Sequence, residues 1–119
     1  MLLNKEQIIG ADDRKYAIVE VPEWGGKVRV STMSGSMRDN YERMITTQDE
    51  NGKLKSNTGD LRAKLLAVSI VDESGSQLFD SDDIEALGEK SADAIDRVFK
   101  EITRINQLMA SDVDDEVKN

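Results

Sequence analysis

The sequence predicts a small α+β domain, mostly helical, with an N-terminal β-hairpin and a long C-terminal amphipathic helix. Three observations carry that reading. Apolar residues alternate over Tyr16–Val21 and again over Lys27–Ser31, on either side of Pro22-Glu23-Trp24-Gly25-Gly26. Leu61 to Ile70 is apolar on almost every side. From Ile95 onward, apolar residues recur at intervals of three and four.

The hairpin follows from a period of two, which points successive side chains to opposite faces. Tyr16, Ile18 and Glu20 share one face, and Ala17, Val19 and Val21 share the other. Pro22 is the only proline and stands at a strand end, where its missing N–H does least harm. The twelve residues before the hairpin are mixed and suggest no element. After it, Ser34 or Ser36 can cap a helix over about 35–47, whose apolar face is Met37, Tyr41, Met44 and Ile45. Asp39 and Arg43 stand at i,i+4 on its outer side. Gln48 to Asn57 holds almost nothing to bury and reads as a long mobile loop.

Asn57, Thr58 and Asp60 offer caps for a helix over about 60–70, expected at the centre of the core. Asp72-Glu73-Ser74-Gly75 stops it, and Gln77-Leu78-Phe79 runs extended. A short helix over about 82–88 is capped at Ser81, with Asp82 and Asp83 where the helix dipole favours negative charge. Ser91 caps the last helix, about 91–109. Its stripe is Ile95, Val98, Phe99, Ile102, Ile105, Leu108 and Met109, with Asp93–Arg97, Asp96–Lys100 and Arg97–Glu101 at i,i+4 on the polar side. Two heptads fall short of the three or four that define a coiled coil. Residues 1–110 therefore read as one domain. Residues 111–119 are acidic, lack aromatics and read as a disordered tail.

The 119 residues include no cysteine and no histidine. That excludes disulfides, thiolate nucleophiles, Ser-His and Cys-His dyads and the usual zinc sites. Acidic and basic side chains balance, nine each, over residues 1–57. The net charge of −8 therefore arises entirely downstream. Such a field repels phosphate backbones and anionic lipid, so neither nucleic acid nor membrane is expected as a partner. An acidic decoy of DNA is a minor alternative. The longest apolar run is far below the roughly 20 residues that cross a bilayer, and the N-terminus lacks the pattern of a signal peptide. The expected location is the cytoplasm.

The acids of 72–85 do not form an EF-hand, which needs oxygen ligands at positions 1, 3 and 5 and glycine at 6. Starting at Asp72, position 6 is Gln77; starting at Asp80, position 5 is Ile84. No phosphate loop of either common type is present. With no metal or cofactor motif and nothing to mark a carboxylate pair, no catalytic residue is assigned and the chain reads as a non-enzyme.

Binding is the remaining function, and the candidate protein-binding residues are Trp24, Met37, Met44, Ile105, Leu108 and Met109. Trp24, the only tryptophan, is either an exposed anchor or a seal on the hairpin. The methionines suit an irregular partner surface and equally suit a small core. The start of the Ile95–Met109 stripe is expected to pack on the Leu61–Ile70 helix, leaving its far end to a partner.

Two adjoining runs, Arg62 to Phe79 and Asp82 to Phe99, resemble segments of the tail assembly chaperones of long-tailed (siphophage, lambda-like) double-stranded DNA phages. Trp24-Gly25-Gly26-Lys27-Val28-Arg29-Val30, Met33-Ser34-Gly35 and Tyr41-Glu42 look like the same family's hairpin and first helix. The likeness covers about residues 14–109. It implies a morphogenetic protein that binds the tape measure protein, keeps it soluble, helps recruit major tail tube protein and is absent from the mature virion. It further implies self-association and, in many members, a longer form made by ribosomal frameshifting. The alternative is a structural head–tail or tail connector subunit retained in the particle.

Overall fold

A computed structural model describes residues 1–56 and 59–107. The sheet that organises them has the order β1-β2-β5: β1 (Tyr16–Val21), β2 (Gly26–Ser31) and β5 (Ile70–Val71). Val19 pairs with Val28 and Ala17 with Val30, antiparallel, placing Val19, Val21 and Val30 on the buried face and Ile18 and Glu20 on the exposed one. A single 3₁₀ turn, Pro22–Trp24, joins β1 to β2 and closes on Gly25, whose φ of 78° favours a residue without Cβ.

Two helices build the core beneath that face. The apolar side of α5 (Ala92–Ile105) crosses β1 and β2, burying Ala94, Ile95, Val98 and Ile102. Ser91 Oγ accepts from the Ala94 amide at its N-terminus. Against α5 packs α3 (Leu61–Ser69), and α2 (Gly35–Met44) and α4 (Ile84–Gly88) flank α3. In α2, Ser34 Oγ accepts from the Met37 amide at 3.1 Å, so Ser34 rather than Ser36 is the cap. Asp60, at the start of α3, is left-handed (φ 56°) and its carboxylate makes no capping bond. Gly88 ends α4 as expected, but Asp80 rather than Ser81 caps the preceding 3₁₀ turn, Ser81–Asp83, through the Asp82 amide.

Five sequence expectations need correction. The last helix, read as continuing to 109, stops at Ile105, where the chain turns at Asn106 and Gln107 takes φ 56°. The N-terminal stretch contains α1 (Lys5–Gly10), closed by a reciprocal pair in which Asn4 Oδ1 accepts from the Gln7 amide and Gln7 Oε1 from the Asn4 amide. None of its residues is buried. The stretch read as a long mobile loop is a second hairpin, β3 (Thr46–Gln48) with β4 (Leu54–Ser56). Asp49 Oδ1 accepts from the Asn51 and Lys53 amides, and Gly52 takes φ 80°. Turn chemistry, not an apolar face, holds this hairpin. The helix read as continuing to 47 stops at Met44, because Thr46 and Thr47 pair as strand. The central helix stops at Ser69, because Ile70 turns extended and bonds across to β2 as β5. The predicted tail at 111–119, Leu108 and Met109 lie outside the described residues.

Two residues of the anticipated i,i+4 pairs on α5 make their ion pairs outside the helix, while Asp93 still acts on Arg97 through its charge. Arg97 reaches Glu23 in the turn after β1, and Asp96 reaches Arg62 of α3 at 2.8 Å. These long side chains lie beside neighbouring elements, so the pairs tie α5 to its surroundings.

Truncating Leu66, which is fully buried in α3, should cost about 2–5 kcal/mol. Ser69 Oγ is buried without a hydrogen-bond partner among the described residues, so Ser69→Ala should raise stability by up to about 1 kcal/mol. Urea unfolding monitored by circular dichroism reads both signs.

Candidate protein-binding surface

The fold places the sequence-selected residues at three positions. Trp24 ends the 3₁₀ turn, half-buried against the core. Met37 and Met44 lie on the first and last turns of α2, also half-buried against the core, and the Met37 sulfur accepts from the Ser34 amide at 3.5 Å. Ile105 closes α5 in the same half-buried condition. Leu108 and Met109 are not among the described residues.

Trp24 and Met44 line separate clefts that share one residue, which pattern reading did not select. Trp24, Phe79, Ala86 and Leu87 line a mostly apolar cleft of about 440 Å³, edged by Glu23, Asp83 and Lys90. Met44, Asn40, Leu78 and Phe79 line a neighbouring cleft of about 420 Å³. Phe79 is common to both. It rests partly buried on the core, while Leu78 is 53% exposed. Ile105 belongs elsewhere, in a more polar cleft with Met33, Lys15 and Arg38. A single hydrophobic pair after a turn has no periodicity to find, so Leu78-Phe79 carried no sequence signal of a site.

The backbone around Phe79 is held from both sides. The Leu78 amide donates to the Ile70 carbonyl at 3.1 Å, and Gln77 Nε2 donates to the carbonyls of Ala67 and Phe79. Asp72 Oδ1 accepts from the Ser74 and Ser76 amides, making the tight turn that returns the chain to β5. On the other wall, Arg97 grips both oxygens of Glu23, at 2.6 and 3.0 Å, fixing the turn that carries Trp24 to α5. Bidentate geometry of this kind is the strong form of an ion pair.

These contacts set local acidities. The Arg97 guanidinium holds the Glu23 carboxyl below its ordinary value. Arg104 does the same to Glu101, and the Ser74 hydroxyl, with backbone amides, to Asp72. Among the described residues no group of three acids converges to hold a metal ion, and no helix is long and apolar enough to cross a membrane.

A family profile described as phage tail assembly chaperone matches residues 4–119. The chain belongs to that family. It is a family of chaperones rather than of enzymes. The fold is also that of a solved structure, the bacteriophage HK97 tail assembly chaperone, with a TM-score of 0.56 and 20% sequence identity. The likeness covers 84% of this chain and 94% of that one. No curated protein matches the sequence. The α+β class read from the sequence is therefore the fold of this chaperone, and its partners are, in general terms, phage tail proteins.

Because the folded-state pKa of Glu23 is depressed, its ion pair contributes stability above the ordinary value of 4.5 and loses it as pH falls through the folded value. Glu101 and Asp72 act in the same direction. Melting temperature should hold near neutrality and fall in the acid range. Glu23→Gln should lower it at neutral pH and make the acid fall shallower, which thermal melts across that range measure.

Proposed function

We propose that this chaperone binds the tape measure protein, keeps it soluble and helps recruit major tail tube subunits, working in the host cytoplasm and leaving before the virion matures. Membership of the tail assembly chaperone family is the observation that carries the reading. An exposed apolar helical client aggregates unless its stripe is covered, and half-buried apolar side chains on a rigid frame are suited to cover it. Trp24, Met37, Met44 and Ile105 supply such side chains, and Leu108 and Met109 continue the same sequence stripe. The charge of −8 adds solubility to the complex. Self-association, and a longer form made by frameshifting, belong to the same proposal.

Co-expression with the tape measure protein of the same phage should convert an insoluble client into a soluble complex. Unchanged client solubility, or stoichiometric copies of this chain in purified particles, would favour the connector subunit instead. Ile105→Asp should weaken client capture or self-association by about tenfold with little change in melting temperature. Phe99 packs on the core beneath the Arg62 guanidinium, 5.1 Å from its ring centroid, so Phe99→Asp should lower the melting temperature sharply. Pull-down beside thermal denaturation separates the two effects.

A further inference from the structure

The two clefts that share Phe79 are both bordered by the chain between Asp80 and Lys90, which forms their wall. That wall runs through the 3₁₀ turn Ser81–Asp83 and α4. From Asp80 to Lys90 it carries five carboxylates (Asp80, Asp82, Asp83, Glu85 and Glu89) against one ammonium, Lys90. Asp80 and Asp83 edge the clefts directly, while Glu85 and Glu89 stand on the outer side of α4. All lie on a short stretch of chain, so their fields add over a screening length of about 8 Å at physiological salt. On the opposite wall Glu23 is neutralised by Arg97. The surface is therefore a groove with an apolar floor around Trp24, Phe79 and Leu87; it reaches Leu78 and Met44 through a more polar cleft beyond Phe79 and is negative along one side.

The geometry points to this groove as a docking site for an amphipathic helical segment whose apolar side chains are flanked by Lys or Arg. The floor takes the apolar side chains and the Asp80–Glu89 wall takes the basic flank. A helix with acidic flanks meets the same floor but is repelled by the wall, so the rim selects among clients that the floor alone would accept. The assignment rests on the chaperone reading only for which protein supplies the helix. The surface and the chemistry of its occupant follow from the groove.

Trp24 makes the groove self-reporting, because the chain has no other tryptophan. The probes are two tryptophan-free helical peptides of about 18 residues, long enough to hold helix in solution. They share one leucine stripe and differ in lysine or glutamate flanks. The lysine peptide should shift Trp24 emission to the blue and saturate, and added salt should weaken it. The glutamate peptide should bind at least about tenfold more weakly. Ala86 lines the groove on α4 and is exposed, so Ala86→Lys adds bulk and positive charge without disturbing the core. It should weaken the lysine peptide by about tenfold at unchanged melting temperature. Leu78→Ser, at the other end, should do the same.

Equal binding of the two peptides, or titrations indifferent to both variants, would overturn the assignment. So would Ala86→Lys breaking up an oligomer in sedimentation while leaving peptide binding intact, since the groove would then belong to a second copy. Co-expression separates the two levels. Should wild type and Ala86→Lys rescue the tape measure protein equally, the groove assignment fails and the chaperone reading stands. Should wild type itself fail to rescue it, that reading fails and the peptide titration judges the groove alone.

Discussion

Eight of the nine residues of α3 are buried, with Arg62 the exception, and the rest of the molecule is arranged to make that possible. An ordinary surface helix hides one stripe and leaves the other side to water. A helix without a polar side must be enclosed all round, and here α2, α4 and α5 do so, while β5 leads its C-terminal end straight into the sheet. The enclosure has costs. Lys64 is drawn in with its neighbours, and burial pushes its ammonium below the usual lysine range against the pull of Asp60. Ser69 goes in with a hydroxyl that finds no partner among the described residues. Both polar groups are tolerated because the apolar area around them outweighs them.

What could be read from the sequence follows the same logic. Elements that bury a face announced themselves: the alternation over β1 and β2, the stripe of α5, the uniform apolarity of α3. Elements that bury nothing did not. In α1 a reciprocal pair between Asn4 and Gln7 takes the place of tertiary packing, and in β3–β4 the Asp49 carboxylate and Gly52 take the place of an apolar face. Their signals were present, as Asn4-x-x-Gln7 and as Asp49-Glu50-Asn51-Gly52, but they are local hydrogen-bond signals rather than periodic ones. The Ile70-Val71 strand was hidden for the opposite reason. Its apolar residues continue the pattern of α3 without a break, and only the Asp72–Gly75 turn and β-branching mark the change.

The candidate binding surface was half legible in the same sense. Trp24 and Met44 stood out as a lone tryptophan and as a methionine on a helix face. That their two clefts share Phe79 depends on contacts distant in sequence. The Glu23–Arg97 pair sets the turn of Trp24, and Gln77 carries Leu78 and Phe79 back across the end of α3. No i,i+4 rule anticipates either, because each joins elements rather than neighbours on one helix. Ion pairs written as helix ladders became struts between α5 and the rest of the fold for the same reason.

A chaperone has to present apolar surface without being ruined by it, and the division of labour in this chain meets that requirement. The core is closed around α3 by fully buried side chains, so most of the stability comes from them and a smaller part from the half-buried Trp24, Met37, Met44, Phe79 and Ile105. Under the proposed function a client covers these side chains and leaves them without unfolding the protein, since each has already gained part of its burial from the core. The acids concentrated downstream of residue 57 add solubility to the chain. Charge and grease are thus placed side by side: the apolar side chains around Phe79 adjoin the acidic stretch from Asp80 to Glu89.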